Sequence, residues 1–284
     1  MSITSDDGTL QTELFEMLSD AGIDDPYTEI EHILGCVDSD STQGTRERAL
    51  ELARARASGT PLGYVIGRQR FMGIEIAVAP GVIIPRSETE LLGWETVIRI
   101  RESHGASGFG ARVIDMCCGS GNLACGIARA LPHAEVWASD LMENCAALTH
   151  HNARRLGLNE RIHVYHGDLF EPLPLHYAGH YDIIVCNPPY ISTHGLRQRD
   201  ELLRHEPRVA FDGGPYGVSL YQRLVREASR FLKRGGWMLF EMGEGQTPHI
   251  ERLLTRAQEY DKVELVADRR GEFRVAAVRR SLNH

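Results

Sequence analysis

The chain has 284 residues, 42% hydrophobic and 25% charged, with a formal net charge of −8. That is the composition of a globular protein with a main domain and a lesser one, and its acidity disfavours a broad phosphate-tracking surface and so direct nucleic-acid binding. Six cysteines (Cys36, Cys117, Cys118, Cys125, Cys145 and Cys186) without a C-x-x-C pair argue against a metal or disulfide framework. With no basic-then-apolar opening segment and no run of about 18 apolar residues, the expectation is a cytoplasmic protein with no membrane span and no metal.

Between Leu10 and Ser58, apolar residues recur at helical spacing: Leu14, Met17 and Leu18, then Ile30, Ile33 and Leu34, then Leu50, Leu52 and Ala53. Two or three short helices are predicted. Gly59, Pro61 and Gly63 punctuate the exit, and Tyr64 to Val78 alternates as one or two strands. Beyond Val113, short apolar strands alternate with helical segments, the pattern of a parallel sheet with crossover helices. The predicted strands are Arg112–Met116, Glu135–Ser139, His163–His166, Tyr181–Cys186, Trp237–Met242, Lys262–Ala267 and Phe273–Arg279. The predicted helices are Asn122–Ala130, Glu143–Leu156, Leu220–Leu232 and Pro248–Arg256. A hairpin across Asp268 to Glu272 would place one antiparallel strand in the sheet.

The strand ending at Asp115 runs through Met116-Cys117-Cys118-Gly119-Ser120-Gly121 into a helix. A strand, tight turn and helix bring backbone N–H groups to a ligand, with glycine where a Cβ would collide. Dinucleotide enzymes share this layout, so the neighbouring strands decide. One ends at Asp140, placed to bind both hydroxyls of a ribose, and the next in Gly167-Asp168-Leu169, where Asp168 could accept a hydrogen bond from an adenine amino group. Either Asp alone would read as a helix cap or turn residue; three strand ends in register favour an adenosine cofactor.

The sharpest local signal is Asp182-Ile183-Ile184-Val185-Cys186-Asn187-Pro188-Pro189-Tyr190. An apolar strand delivers Asn187, and two prolines then fix φ and remove two donors. The Asn187 side-chain oxygen and the Pro188 carbonyl can accept both hydrogens of a planar NH2, aiming its nitrogen at a sulfonium methyl, while Tyr190 packs on the flat group. Such transfer needs alignment and desolvation more than a metal or a covalent nucleophile.

With these motifs go Pro61-Leu62-Gly63-Tyr64-Val65-Ile66-Gly67, Phe71-Met72-Gly73 and Val82-Ile83-Ile84-Pro85-Arg86-Ser87-Glu88-Thr89-Glu90. Further along come His205-Glu206-Pro207-Arg208, Asp212-Gly213-Gly214 with Gly217, and Glu241-Met242-Gly243 with Gly245-Gln246. In that order they resemble the bacterial peptide-chain-release-factor glutamine methyltransferases, the HemK or PrmC group.

The resemblance implies a Rossmann-like class I methyltransferase fold: an α/β domain over residues 85–284, mostly parallel with one antiparallel strand. It also implies a helical substrate-gripping domain over residues 1–63 and a β-hairpin linker over residues 64–84. It implies S-adenosylmethionine as cofactor, held by Asp115, Cys117, Gly119, Gly121, Asp140, Asp168, Leu169 and Asn187, with Arg86 and Thr89 in a loop beside the pocket. The acceptor would be the Gln of a Gly-Gly-Gln loop in a class I release factor, met by Phe71, Asn187, Pro188, Pro189 and Tyr190, with Asn187, Pro188 and Tyr190 catalytic. Cys117 stands where the family's cofactor loop has its first glycine. Pro85-Arg86 with the acids after it also has the form of an ordinary helix start.

Three other readings start from the same residues. A paralogue could methylate another protein or a small amide. Asn-Pro-Pro-Tyr also resembles the loop of adenine-N6 methyltransferases, which need a basic face; Arg197, Arg199, Arg204 and Arg208 are interleaved with acids and read as a solvated helical face. A cofactor-binding fold kept only for interaction would be expected to have lost Asn187 or the acidic contacts, and all are present.

Overall fold

The computed structural model describes residues 5–37 and 42–283. Two compact units meet in the chain between Arg68 and Gln69.

The first unit contains α1 (Ser5–Asp20), α2 (Pro26–Leu34), α3 (Thr42–Ala57) and the short α4 (Leu62–Ile66). The apolar spacing buries Leu14, Leu18, Ile33, Ala49 and Ala53 against one another. α2 starts where the Asp25 side chain accepts the Thr28 N–H, with Pro26 in its first turn, where a missing N–H costs nothing. The strand expected from Tyr64 begins only at Arg68. Tyr64, Val65 and Ile66 instead complete α4, which Gly67 closes in the left-handed conformation at φ +71°.

From the last residue of the first unit the chain enters a hairpin of β1 (Arg68–Phe71) and β2 (Ile74–Ala77), joined by Met72 and Gly73 at φ +46° and +78°, the positive pair of a two-residue turn. A 3-10 turn over Ser87–Thr89 leads into α5 (Glu90–His104), at the helix start read from Pro85-Arg86. Then follow β3 (Arg112–Met116), α6 (Asn122–Ala130), β4 (Glu135–Asp140), α7 (Glu143–Arg155), β5 (Ile162–His166) and β6 (Tyr181–Cys186). Next are α8 (Thr193–Leu196), α9 (Asp200–Leu203), α10 (Ser219–Ala228), β7 (Leu232–Glu241), α11 (Thr247–Thr255), β8 (Tyr260–Ala267) and β9 (Phe273–Arg280). Apolar periodicity alone does not predict the body of α5. Met72 wedges against α5 and α6, and a Cβ at Gly93 or Gly126 would come within 2.4 or 2.7 Å of its sulfur, so small residues replace part of the apolar stripe.

The sheet order is β5-β4-β3-β6-β7-β9-β8, with β3 to β7 parallel and β9 antiparallel to both neighbours. This is the mostly parallel sheet with one antiparallel strand that the sequence predicts. Its interior includes Ile114, Met116, Ile184, Cys186, Met238 and Phe240. Two expectations shift. The helix predicted over Leu220–Leu232 stops at Ala228, and β7 starts five residues before Trp237, because a bulge moves the register from Tyr181↔Leu232 to Ile183↔Trp237. The four arginines read as one helical face lie outside α-helix: Arg197, Arg199 and Arg204 flank the one-turn helices α8 and α9, and Arg208 opens a 3-10 turn.

After β3 the chain winds outward through β4 and β5, then returns to β6 on the other flank of β3. A crevice opens at such a reversal, outside the carboxyl ends of the strands. Among the described residues, no helix is long and apolar enough to cross a membrane.

Candidate active site

A cleft of about 290 Å³ lies at this edge, walled by the ends of β3, β4, β6 and β7 and the loops after them. On β3, Asp115 is buried; its Oδ2 accepts the Ala124 N–H at 2.9 Å, securing the first turn of α6, and its Oδ1 has no partner. Burial, with no cation beside it, pushes this carboxyl up to about 8. Cys117, Gly119 and Gly121 all adopt positive φ, at +57°, +56° and +76°. Cys117 therefore holds a glycine's conformation at a cost of about 1–2 kcal/mol.

The two glycines do different jobs. A Cβ on Gly119 would approach only Ile83, at 3.6 Å, and this residue lines the cleft. A Cβ on Gly121 would lie 2.7 Å from Thr149 Cγ2, so Gly121 lets the loop settle on α7. There the Thr149 hydroxyl donates to the Gly119 carbonyl at 3.0 Å and Asn152 Nδ2 to the Ser120 carbonyl at 2.9 Å. Asn152 also pairs with both backbone groups of Ala77, tying the hairpin to the same loop.

Asp140 ends β4 with each oxygen accepting one backbone N–H at 2.9 Å, from Gly119 and Met142. Burial pushes its carboxyl up and these N–H groups oppose it. The carboxylate is thus fixed across two strand ends, and each oxygen keeps lone-pair capacity toward the cleft. Beyond β5, Asp168 faces the cleft in a forked pair with Arg223, at 3.2 and 3.0 Å. Leu169 follows at φ +46°, its carbonyl accepting the Ser139 hydroxyl at 3.0 Å.

At the end of β6, Asn187 Nδ2 donates to Thr89 Oγ1 at 3.2 Å, and Pro188, Pro189 and Tyr190 continue along the cleft wall. The Tyr190 hydroxyl donates to Glu241 Oε1 at 3.2 Å. The glycines around this turn serve close approach. A Cβ on Gly217 would lie 2.3 Å from the Tyr190 carbonyl, and one on Gly213 would lie 2.8 Å from the Pro189 carbonyl. Gln246 completes the brace, donating to the Tyr190 carbonyl at 2.9 Å and accepting from Gly243 N–H at 2.8 Å. Glu206, buried, accepts the Ile84 N–H at 2.9 Å and pairs with Arg86, fastening the strap after α9 to the segment before α5.

The structure thus brings Arg86, Cys117, Gly119, Asp140, Asp168, Leu169, Asn187, Pro188, Pro189 and Tyr190 onto one cleft. Four residues named from the sequence stand elsewhere. Asp115 on β3 and Gly121 at the end of the glycine loop do not line the cleft, and Thr89, 2% exposed, lies behind Asn187. Phe71, fully enclosed in the interior, is off the cleft walls, since an aromatic ring at the end of β1 gains most by burial. Glu241, which the sequence singled out only as part of a motif, lines the cleft although 2% exposed. Its signal was a carboxylate closing an apolar strand, where an unpartnered charge is costly. Among the described residues, no cluster of three or more His, Cys, Asp or Glu side chains could hold a metal ion.

Residues 102–276 match the Methyltransferase small domain. The release factor glutamine methyltransferase of Geobacter sulfurreducens is 37% identical over 206 residues, covering 72% of this chain and 68% of that protein. The one from Moorella thermoacetica is 33% identical over 278 residues, 92% of this chain and 94% of that one. The chain belongs to the release factor glutamine methyltransferase family. A solved methyltransferase from Pyrococcus furiosus aligns with a TM-score of 0.53 over 74% of this chain and 90% of that one; at 16% identity, what it shares is the fold. As a member of this family the chain is a methyltransferase, and the cleft is its candidate active site.

Proposed function

We propose that this chain transfers a methyl group from S-adenosylmethionine to the side-chain amide nitrogen of a glutamine in a protein, the Gly-Gly-Gln loop of a class I peptide chain release factor. The observation that carries the reading is that the Asn187-Pro188-Pro189-Tyr190 turn shares one cleft with the anchored carboxylate of Asp140 and the open face of Gly119.

The residues present suit an adenosine-bearing cofactor. Asp140 offers two fixed acceptors for a ribose diol, Gly119 leaves room for close approach, and Leu169 and Leu141 supply apolar walls for a flat base. Asp168 keeps acceptor capacity beside its Arg223 partner. When bound, the cofactor supplies a methyl group already activated by a sulfonium charge.

What the chain contributes is orientation. With Asn187 Nδ2 tied to Thr89, Asn187 Oδ1 is the atom left for an incoming N–H. The Pro188 carbonyl is a second acceptor on a stiff turn. Holding both hydrogens of a glutamine NH2 fixes the direction in which nitrogen can react, and such pre-orientation accounts for several kcal/mol of barrier lowering, roughly 7 or more in the best cases. Tyr190, tethered through its hydroxyl, offers a ring face to the planar amide.

The test is to incubate the purified chain with S-adenosylmethionine and an unmodified class I release factor, then read the Gly-Gly-Gln peptide by mass spectrometry. One added methyl on the Gln is expected; a peptide left unmodified overturns the acceptor assignment.

A further inference from the structure

Two prolines fix φ in the reacting turn but leave ψ open, so the direction of the Pro188 carbonyl depends on what holds the chain beyond it. That anchor comes from two motifs to which methyl transfer has so far assigned no role, Asp212-Gly213-Gly214 with Gly217 and Glu241-Met242-Gly243 with Gly245-Gln246.

The Gln246 side chain lies between them. Its Nε2 donates to the Tyr190 carbonyl at 2.9 Å and to the Gly217 carbonyl at 3.3 Å, while its Oε1 accepts the Gly243 N–H at 2.8 Å and has the Tyr221 hydroxyl 3.3 Å away. A carbonyl can only accept and a backbone N–H can only donate, so one flip of this amide satisfies all three backbone groups and the other satisfies none. The glycines close the space around it. A Cβ on Gly217 would come within 3.0 Å of Nε2, and one on Gly243 within 3.0 Å of Oε1 and 2.9 Å of the Tyr190 ring. Ile191 is held separately, its N–H by the Phe211 carbonyl at 2.9 Å and its own carbonyl by the Gly213 N–H at 2.8 Å. Gln246 thus grips the turn at its last residue, and does so from outside the cleft walls.

Resting on the methyl-transfer reading above, we propose that Gln246 is a positioning residue: by holding the Tyr190 carbonyl it fixes the turn so that the Asn187 oxygen and the Pro188 carbonyl together meet the acceptor amide. Without the Nε2 donor the Tyr190 carbonyl loses this partner in a crowded site, and the turn can swing about the ψ that proline leaves open. A displacement of about 1 Å at the reacting atoms is enough to cost on the order of 100-fold in rate.

Two variants test this. Gln246→Glu keeps the shape and the Gly243 bond but turns an acceptor toward two carbonyls. Turnover should fall roughly 10- to 100-fold while S-adenosylmethionine affinity, by isothermal titration, stays within about twofold. The carbonyls push the new carboxyl up, with Tyr221 of α10 beside it and Glu241 of β7 beyond the Tyr190 hydroxyl. Lowering the pH from about 8 to about 5 should place a proton there that can be donated to the Tyr190 carbonyl, so the ratio of variant to wild-type turnover should rise, titrations common to both cancelling. Gln246→Met, which keeps the length without a donor, should be as slow and show no such rise. Full turnover in either variant, a matching fall in cofactor affinity, or a flat ratio in Gln246→Glu overturns the proposal. The turn is also read without any acceptor. The Ile191 backbone ¹⁵N resonance, which reports hydrogen bonding to the Tyr190 carbonyl, and the Asn187 side-chain ¹⁵N–¹H pair should both move in Gln246→Met, and an Asn187 pair that stays in place overturns the proposal too. A wild-type chain that leaves the release factor unmethylated would sink the functional reading instead, with the resonances still deciding whether Gln246 sets the turn.

Discussion

Replacing Gly121 by alanine separates a glycine kept for packing from one kept for ligand. At φ +76° the new Cβ costs about 1–2 kcal/mol of backbone strain. It would also stand 2.7 Å from Thr149 Cγ2 and 3.1 Å from Thr149 Cα. The Cγ2 contact could ease by rotation, but the Cα belongs to the backbone of α7, and overpacking of this kind costs roughly 1–3 kcal/mol. The sum, about 2–5 kcal/mol, should lower Tm by roughly 5–15 °C for a unit of this size. Gly119→Ala carries similar strain at φ +56° but meets only Ile83, at 3.6 Å. It should lose about 1–2 kcal/mol of stability and fail mainly in cofactor binding. Scanning calorimetry of both variants without cofactor is the assay. Combining Gly121→Ala with Thr149→Ser, which removes Cγ2 and keeps the hydroxyl, should recover about 1 kcal/mol. Equal Tm values for the two single variants would refute the division of labour between the glycines.

Other outcomes are expected at the same edge. Asn187→Ala should reduce turnover on the order of 100-fold or more while leaving S-adenosylmethionine affinity, by isothermal titration, within about twofold; a matching fall in affinity would misplace the residue. Asp140→Ala should instead weaken cofactor binding first, and unchanged affinity would count against its ribose role. Burial holds the Asp115 carboxyl at about 8 against 3.8 for the free group. The folded chain therefore keeps a proton that the unfolded chain has released, and this group lowers stability as pH rises across that window. Asp115→Asn should gain on the wild type by about 2 kcal/mol between pH 6 and pH 8 in urea titrations, and parallel curves would show that the group does not titrate there.

The order of strands and helices beyond Val113 was legible because the strands are short apolar runs and the crossovers through α6, α7 and α10 carry helical spacing, signals local enough to survive without tertiary context. The Asn187-Pro188-Pro189-Tyr190 turn and the glycine loop were legible for the same reason: proline and glycine state their backbone requirements in place. Cys117 is the instructive exception, since it holds a conformation its residue type does not announce.

What only the folded chain decided are the pairings between side chains far apart in sequence. Thr89 meets Asn187 across 98 positions, Arg86 meets Glu206 across 120, and Asn152 reaches Ala77 across 75. Periodicity carries no information about such partners, because they are set by sheet register and by the reversal between β3 and β6. The same holds for Phe71, whose ring the fold sends inward, and for α5, whose Gly93 makes room for Met72. The chain's local chemistry specified the parts, and long-range packing decided which side chains would meet at and behind the cleft.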